Sequence, residues 1–144
     1  MATLTVTIQE EISVNGRNVD ATTVSTFSAD EVIHTTTNLG TAEASIFLFD
    51  AANAAGTILD GALKYLRITN KATGANVHLR IGNAAEEYFV DVEEGGSFML
   101  TADHVDANDN IAASGAATMS LAQIDYIKGK SASGTIQIEI FAAY

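Results

Sequence analysis

The chain has 144 residues, a length that predicts one domain, and a formal net charge of −11. Such an excess of acid repels phosphate and anionic lipid, which argues against nucleic acid and membrane surfaces as partners. With no Cys there is no disulfide framework, thiolate metal site or Cys nucleophile, and no apolar run approaches the roughly 18 residues of a membrane-spanning helix.

The first segment alternates strictly. Leu4, Val6, Ile8, Ile12 and Val14 fall on even positions with Thr, Gln, Glu and Ser between them, which predicts a strand with one buried face. Glu10 breaks the apolar phase and predicts a bend or bulge. The stretch Met1 to Gln9 lacks the basic start and apolar block of a secretory leader. Asn15-Gly16 is a hairpin signal, because both central residues of a type I′ turn need positive φ. The return strand is expected from Arg17 to Phe27, followed by a break at Ser28 to Glu31.

Val32 to Thr37 is β-branched and predicts a strand, with a turn at Asn38-Leu39-Gly40. Ser45 to Asp50 holds Ile46-Phe47-Leu48-Phe49, a run suited to a strand buried on both faces. Ala51 to Gly56 has the composition of a loop, and Ile58-Leu59 is a short apolar segment before Gly61. Leu63 to Thr69 and Ala75 to Ile81 flank Asn70-Lys71-Ala72-Thr73-Gly74 and predict a hairpin. In that register Leu66 faces Leu79 and Ile68 faces Val77 inward, while Arg67 meets His78 and Tyr65 meets Arg80 outside.

Glu87 to Val92 predicts a strand, Glu93 to Gly96 a turn, and Phe98 to Thr101 another strand. Ala102 to Ala117 is small and polar and is expected to be a long loop. Leu121 to Lys128 and Thr135 to Ala142 predict the last two strands, joined by a turn from Gly129 to Gly134. Eight to ten short strands at this spacing, with no long helical pattern, predict an all-β, antiparallel β-sandwich occupying residues 1–144 as a single domain. Edge strands without Pro, which is absent here, are expected to be closed by loops, charges or a neighbouring subunit.

The chemical motifs are fragmentary. Gly129-Lys130-Ser131 imitates the tail of a phosphate loop, but the Gly required five positions earlier is Ile124, so a turn is the simpler reading. Asp106, Asn108 and Asn110 begin like an EF-hand loop, yet Ile111 and Ala117 stand where Gly and a bidentate Glu are needed. A looser calcium site from Asp103, Asp106 and Asp109 stays open beside an Asx-rich surface loop. His34, His78 and His104 have no metal-ligand spacing, and His78 is expected to be a cross-strand partner. Glu86, Glu87, Asp91, Glu93 and Glu94 could pair as glycosidase carboxylates, but they cluster about one strand and its turn, as a solvated rim does. No nucleophile, base and oxyanion set can be assembled, so no enzyme, cofactor or metal site is expected and no catalytic residue is assigned.

One stretch carries a resemblance. Leu66-Arg67-Ile68-Thr69-Asn70, Asn76-Val77-His78-Leu79-Arg80-Ile81-Gly82 and Tyr88-Phe89-Val90-Asp91-Val92-Glu93-Glu94-Gly95-Gly96-Ser97-Phe98 resemble a segment of small virion proteins of tailed bacteriophages. There an I-x-N, N-V, L-R-I-G pattern precedes Y-x-V-x-L-x-x-G-x-S-F; Val92 stands here in place of the Leu, and the match covers about a quarter of the chain. The resemblance implies a jelly-roll-like decoration or cement protein. It would bind the major capsid protein on the outer surface of the virion after synthesis in the host cytoplasm. A homo-oligomer is implied, with a trimer expected. A tail, neck or fibre component of such a virion is the first alternative. A carbohydrate-binding β-sandwich module is the second, with Tyr65, Tyr88, Tyr126 and Tyr144 as candidate platforms.

Overall fold

The computed structural model describes residues 2–50, 56–59, 62–84, 87–101 and 124–144. These form β1 (Ala2–Val14), β2 (Arg17–Ala29), β3 (Val32–Leu39), β4 (Ala44–Asp50), β5 (Ile58–Leu59) and β6 (Tyr65–Asn70). The chain continues with β7 (Val77–Gly82), β8 (Glu87–Val92), β9 (Ser97–Thr101), β10 (Tyr126–Ser131) and β11 (Ile136–Ala143). One sheet runs β3-β11-β6-β9 and the other β5-β4-β10-β7-β8, while β1 and β2 form a separate two-stranded ribbon.

Apart from β5 and the ribbon, eight strands remain, and their order is informative. The first, eighth, third and sixth make one sheet; the second, seventh, fourth and fifth make the other. That is the jelly-roll order, two Greek keys wrapped into a sandwich. The expected all-β sandwich is therefore the observed fold.

The core lies between the sheets. Leu66, Ile68, Ile138 and Ile140 point in from one side and Val77, Leu79, Ile81 and Ile127 from the other, all essentially sealed from water. Burial of each such side chain is worth about 1.5–3 kcal/mol. Their alternation with Arg67, Thr69, Gln137, Glu139, His78 and Arg80 is what makes each strand two-faced.

Several expectations need correction. Leu63 to Ile81 is not a hairpin: β6 and β7 belong to opposite sheets, so residues 71–76 form an arch over the end of the sandwich. The inward set was expected correctly, but Leu66 and Leu79 meet the same core from the two sheets without sharing a ladder. Arg67 pairs with Met99 and Phe141, not His78, and Tyr65 pairs with Thr101 and Ala143, not Arg80. β4 is not buried on both faces, since Leu48 is 42% exposed. The ladder steps from Ile127–Phe47 to Lys128–Ser45, leaving Ile46 in a bulge that turns it toward the core. No bulge occurs at Glu10, which pairs with Ala21 in an unbroken register.

The boundaries moved as well. β2 runs on to Ala29 and β3 to Leu39, where a break and a turn were expected. β10 begins at Tyr126 and extends through Ser131, so the expected turn over Gly129 to Gly134 shortens to residues 132–135. The expected loops over 51–55 and 102–117 and the start of the strand at Leu121 lie outside the described residues.

The ribbon departs most from expectation. Asn15 and Gly16 both have positive φ, 52° and 76°, as the type I′ turn requires. Every apolar even position of β1 lies on one face, opposite Ala29, Phe27, Ser25, Thr23, Val19 and Arg17 of β2. Yet only its open end is buried. Leu4, Val6, Phe27 and Ala29 pack on Tyr65, Phe141 and Ala143, on the outer side of the β3-β11-β6-β9 sheet. Tyr65 and Phe141 meet edge to face at 5.9 Å. Asp30 and Glu31 amides donate to the Tyr144 carbonyl at 2.7 and 2.8 Å, tying the base of the ribbon to β11. Beyond that base the same face stands in solvent, with Ile12 56% and Val19 60% exposed.

Candidate interaction surfaces

The residues singled out for chemistry separate into unrelated local roles. Gly129-Lys130-Ser131 is strand, not a phosphate-binding turn. Gly129 faces the core, and the Ser131 hydroxyl donates to the Ser133 carbonyl at 2.7 Å. The Ser131 amide is spent on the Gly40 carbonyl at 2.8 Å. A phosphate cradle needs several free convergent amides, and this strand has its amides in ladders.

His34 lies on the exposed edge of its sheet, 3.9 Å from Glu139 and against the Phe141 ring. His78 is a cross-strand partner, hydrogen-bonded to Asp91 opposite it on β8. Among the described residues no three His, Asp or Glu side chains converge as metal ligands. His104, Asp103, Asp106, Asn108, Asp109, Asn110 and Glu86 lie outside those residues.

The acidic cluster is likewise dispersed. Glu87 accepts from the Tyr126 hydroxyl and stands 3.6 Å from Arg80. Asp91 engages His78, while Glu94 accepts the Gly74 amide at 2.7 Å and fastens the 71–76 arch to the β8–β9 connection. No two of these carboxylates face each other across a cleft in the described structure, as glycoside cleavage would require.

The four tyrosines do not make an open platform. Tyr65 is buried beneath the ribbon and Tyr88 is half-buried against the core. Tyr126 has Lys128 Nζ 4.1 Å and the Arg80 guanidinium 5.5 Å from its ring centroid, which occupies the ring with cations. Tyr144 donates to Glu31 at 2.7 Å.

These contacts set an alkaline signature. Hydrogen bonding to Glu87 raises the Tyr126 pKa above 10.0, and hydrogen bonding to Glu31 raises that of Tyr144; burial raises that of Tyr88. A folded pKa above the unfolded one means stability that is complete below pH 10 and is lost as pH rises through the folded values. Ultraviolet difference titration should show these phenols ionising later than free tyrosine. Tyr126→Phe and Tyr144→Phe should each delete one late-titrating group, and early ionisation of either group in the parent would contradict the hydrogen bonds.

What remains is surface. The outer side of the β5-β4-β10-β7-β8 sheet carries a shallow groove of about 450 Å³ lined by Glu43, His78, Arg80, Phe89, Asp91 and Lys130. Most of its charges are paired: Arg80 lies 3.0 Å from Glu43, and Asp91 engages His78. Phe89, 71% exposed, is the apolar exception, and the sequence reading gave it no role. The second surface is the ribbon with the groove beside it. About 310 Å³ lies between β1, from Leu4 to Ile8, and the outer face formed by Tyr65, Arg67, Met99 and Phe141. The signal that could have found this surface is length, because β1 and β2 have 13 residues each and the body strands have at most eight.

Compared with protein-family models, curated proteins and solved structures, the chain matches none.

Proposed function

We propose that this chain is a non-enzymatic structural protein of a phage virion, one that decorates or cements the head lattice by surface contact with the major capsid protein. The observation that carries the reading is the combination of a jelly-roll body with a long ribbon whose apolar face continues past that body into solvent. A large unpaired apolar strip on a small soluble chain marks a contact surface. The jelly roll is a recurrent fold of capsid proteins, which is support by fold analogy alone. The resemblance of residues 66–98 to virion accessory proteins points the same way. The net charge of −11 favours a basic or neutral docking site and keeps free subunits soluble before assembly.

The test is made on particles. Purified virions of the encoding phage should contain the chain in numbers set by the symmetry of the head lattice, on the order of hundreds. Heads stripped of it should take up the recombinant protein to saturation. A dozen copies or fewer by quantitative mass spectrometry would move the protein to the neck or baseplate. Absence from particles, or stripped heads that bind none, overturns the reading.

A further inference from the structure

We propose that the distal half of the β1–β2 ribbon is an exchange arm, which lays its apolar face into the groove beside β1 on a second copy of this chain. The occupant follows from the contact that is already made. The proximal half of the same face is buried on this chain's own outer sheet, against Tyr65 and Phe141. Every copy therefore carries a surface that accepts this ribbon, and the unfilled groove adjoins the part in use. The distal residues Ile12, Val14 and Val19 continue the buried face in register and have nothing beneath them among the described residues.

Size calls for a covering layer. Thirteen residues at about 3.3 Å each make a ribbon of about 40 Å, and a two-stranded ribbon without a supporting layer is marginal in water. The groove offers apolar contact where it is open, at Met99, which is 45% exposed, and at Ile8. The edge of β1 that faces away from β2 has no partner strand in the described structure, so an incoming strand can add to it.

Charge supplies the register. Glu10 is the one acidic side chain on the apolar face of the ribbon. Arg67 is the one basic residue lining the groove among the described residues; its Nη2 donates to Glu139 at 2.7 Å, and its side chain is 38% exposed. An arriving Glu10 carboxylate meets the exposed part of the Arg67 side chain there, which the chain's own Glu10, solvent-exposed beyond the groove, does not engage.

The test uses the isolated protein, so it fails or succeeds independently of any binding to heads. Sedimentation at about 100 µM should give a mass that is a multiple of the 15.1 kDa chain. Ile12→Lys with Val19→Lys, a facing pair on the apolar side, should return the monomer, while Thr22→Lys on the opposite face leaves the oligomer intact. Removing residues 9–14 and 17–22 joins Ile8 to Thr23 through Asn15-Gly16. This short ribbon keeps its base and should be a folded monomer by circular dichroism. The chain has no native Cys, so Glu10→Cys and Arg67→Cys chains mixed and oxidised should give a cross-linked band of twice the chain mass, absent from either alone. A monomeric parent, or an oligomer that survives both the double Lys variant and the shortened ribbon, overturns the proposal.

Discussion

Replacing Asn70 with Ala should lower the unfolding free energy by about 3–4 kcal/mol, one of the largest losses available to a single polar side chain here. Asn70 is fully buried at the end of β6. Its Nδ2 donates to the Ala75 carbonyl at 2.8 Å and to the Val92 carbonyl at 3.1 Å, and its Oδ1 accepts the Ala72 amide at 3.0 Å. Its backbone adds two more links, donating to Gly96 and accepting from Gly95. The side chain thus ties together the 71–76 arch and the β8–β9 connection, two of the crossings between sheets at this end of the sandwich. Truncation strands three backbone groups, each costing about 1–3 kcal/mol where water cannot reach. In urea the midpoint should fall by about 1.5–2 M with the slope unchanged. Asn70→Asp keeps the acceptor and removes both donors, so it should lose most of the same stability. A midpoint within about 0.3 M of the parent for Ala would show that these crossings hold without the side chain.

Gly129→Val should cost about 3 kcal/mol or more, with Gly129→Ala in between. A Cβ at this position would lie 2.8 Å from Ile46 Cδ1, 3.1 Å from Leu39 Cδ1 and 3.3 Å from Leu79 Cδ2. The three come from different strands, Leu39 from the opposite sheet, so they converge on the space that the missing side chain leaves. All three contacts are side-chain ends, which lets Ala be accommodated by small rotations. Val adds two methyl groups to a close-packed site and has no such outlet. Thermal and urea unfolding should rank the parent, Ala and Val in that order. Pairing Gly129→Ala with Ile46→Val, which withdraws the nearest methyl, should recover part of the loss; a purely additive double variant would place the strain elsewhere. The same geometry explains the Gly of this Gly-Lys-Ser sequence, a position where the packed core leaves no room for a side chain.

The candidate surfaces were legible only in part. Alternation in β1 exposed an apolar face, and the Asn15-Gly16 turn set its register, but nothing in those residues said that the sandwich ends beneath Leu4 and Phe27. Phe89 and Met99 looked like ordinary strand residues. Each is exposed because its strand turns the opposite face to the core, where Val90 and Leu100 pack. The paired charges around Arg80 and Glu43 join residues remote in sequence, which local spacing does not reveal.

Sequence alone determined the class of fold, the approximate strands, the inward residues and the turn at Asn15-Gly16. These depend on period-two alternation and on backbone conformations that few residues tolerate, and both are local properties. Tertiary structure alone decided that β6 and β7 face each other across the core rather than along a ladder. Leu66, Ile68, Val77 and Leu79 point inward in either arrangement. Alternation therefore names the buried face but not the partner strand. The six residues from Lys71 to Asn76 can either close a hairpin with strands about 4.8 Å apart or bridge sheets about 10 Å apart. The choice fell to the arch because each strand found a distant partner, β11 beside β6 and β10 beside β7, and a buried Asn70 to satisfy the backbone between them.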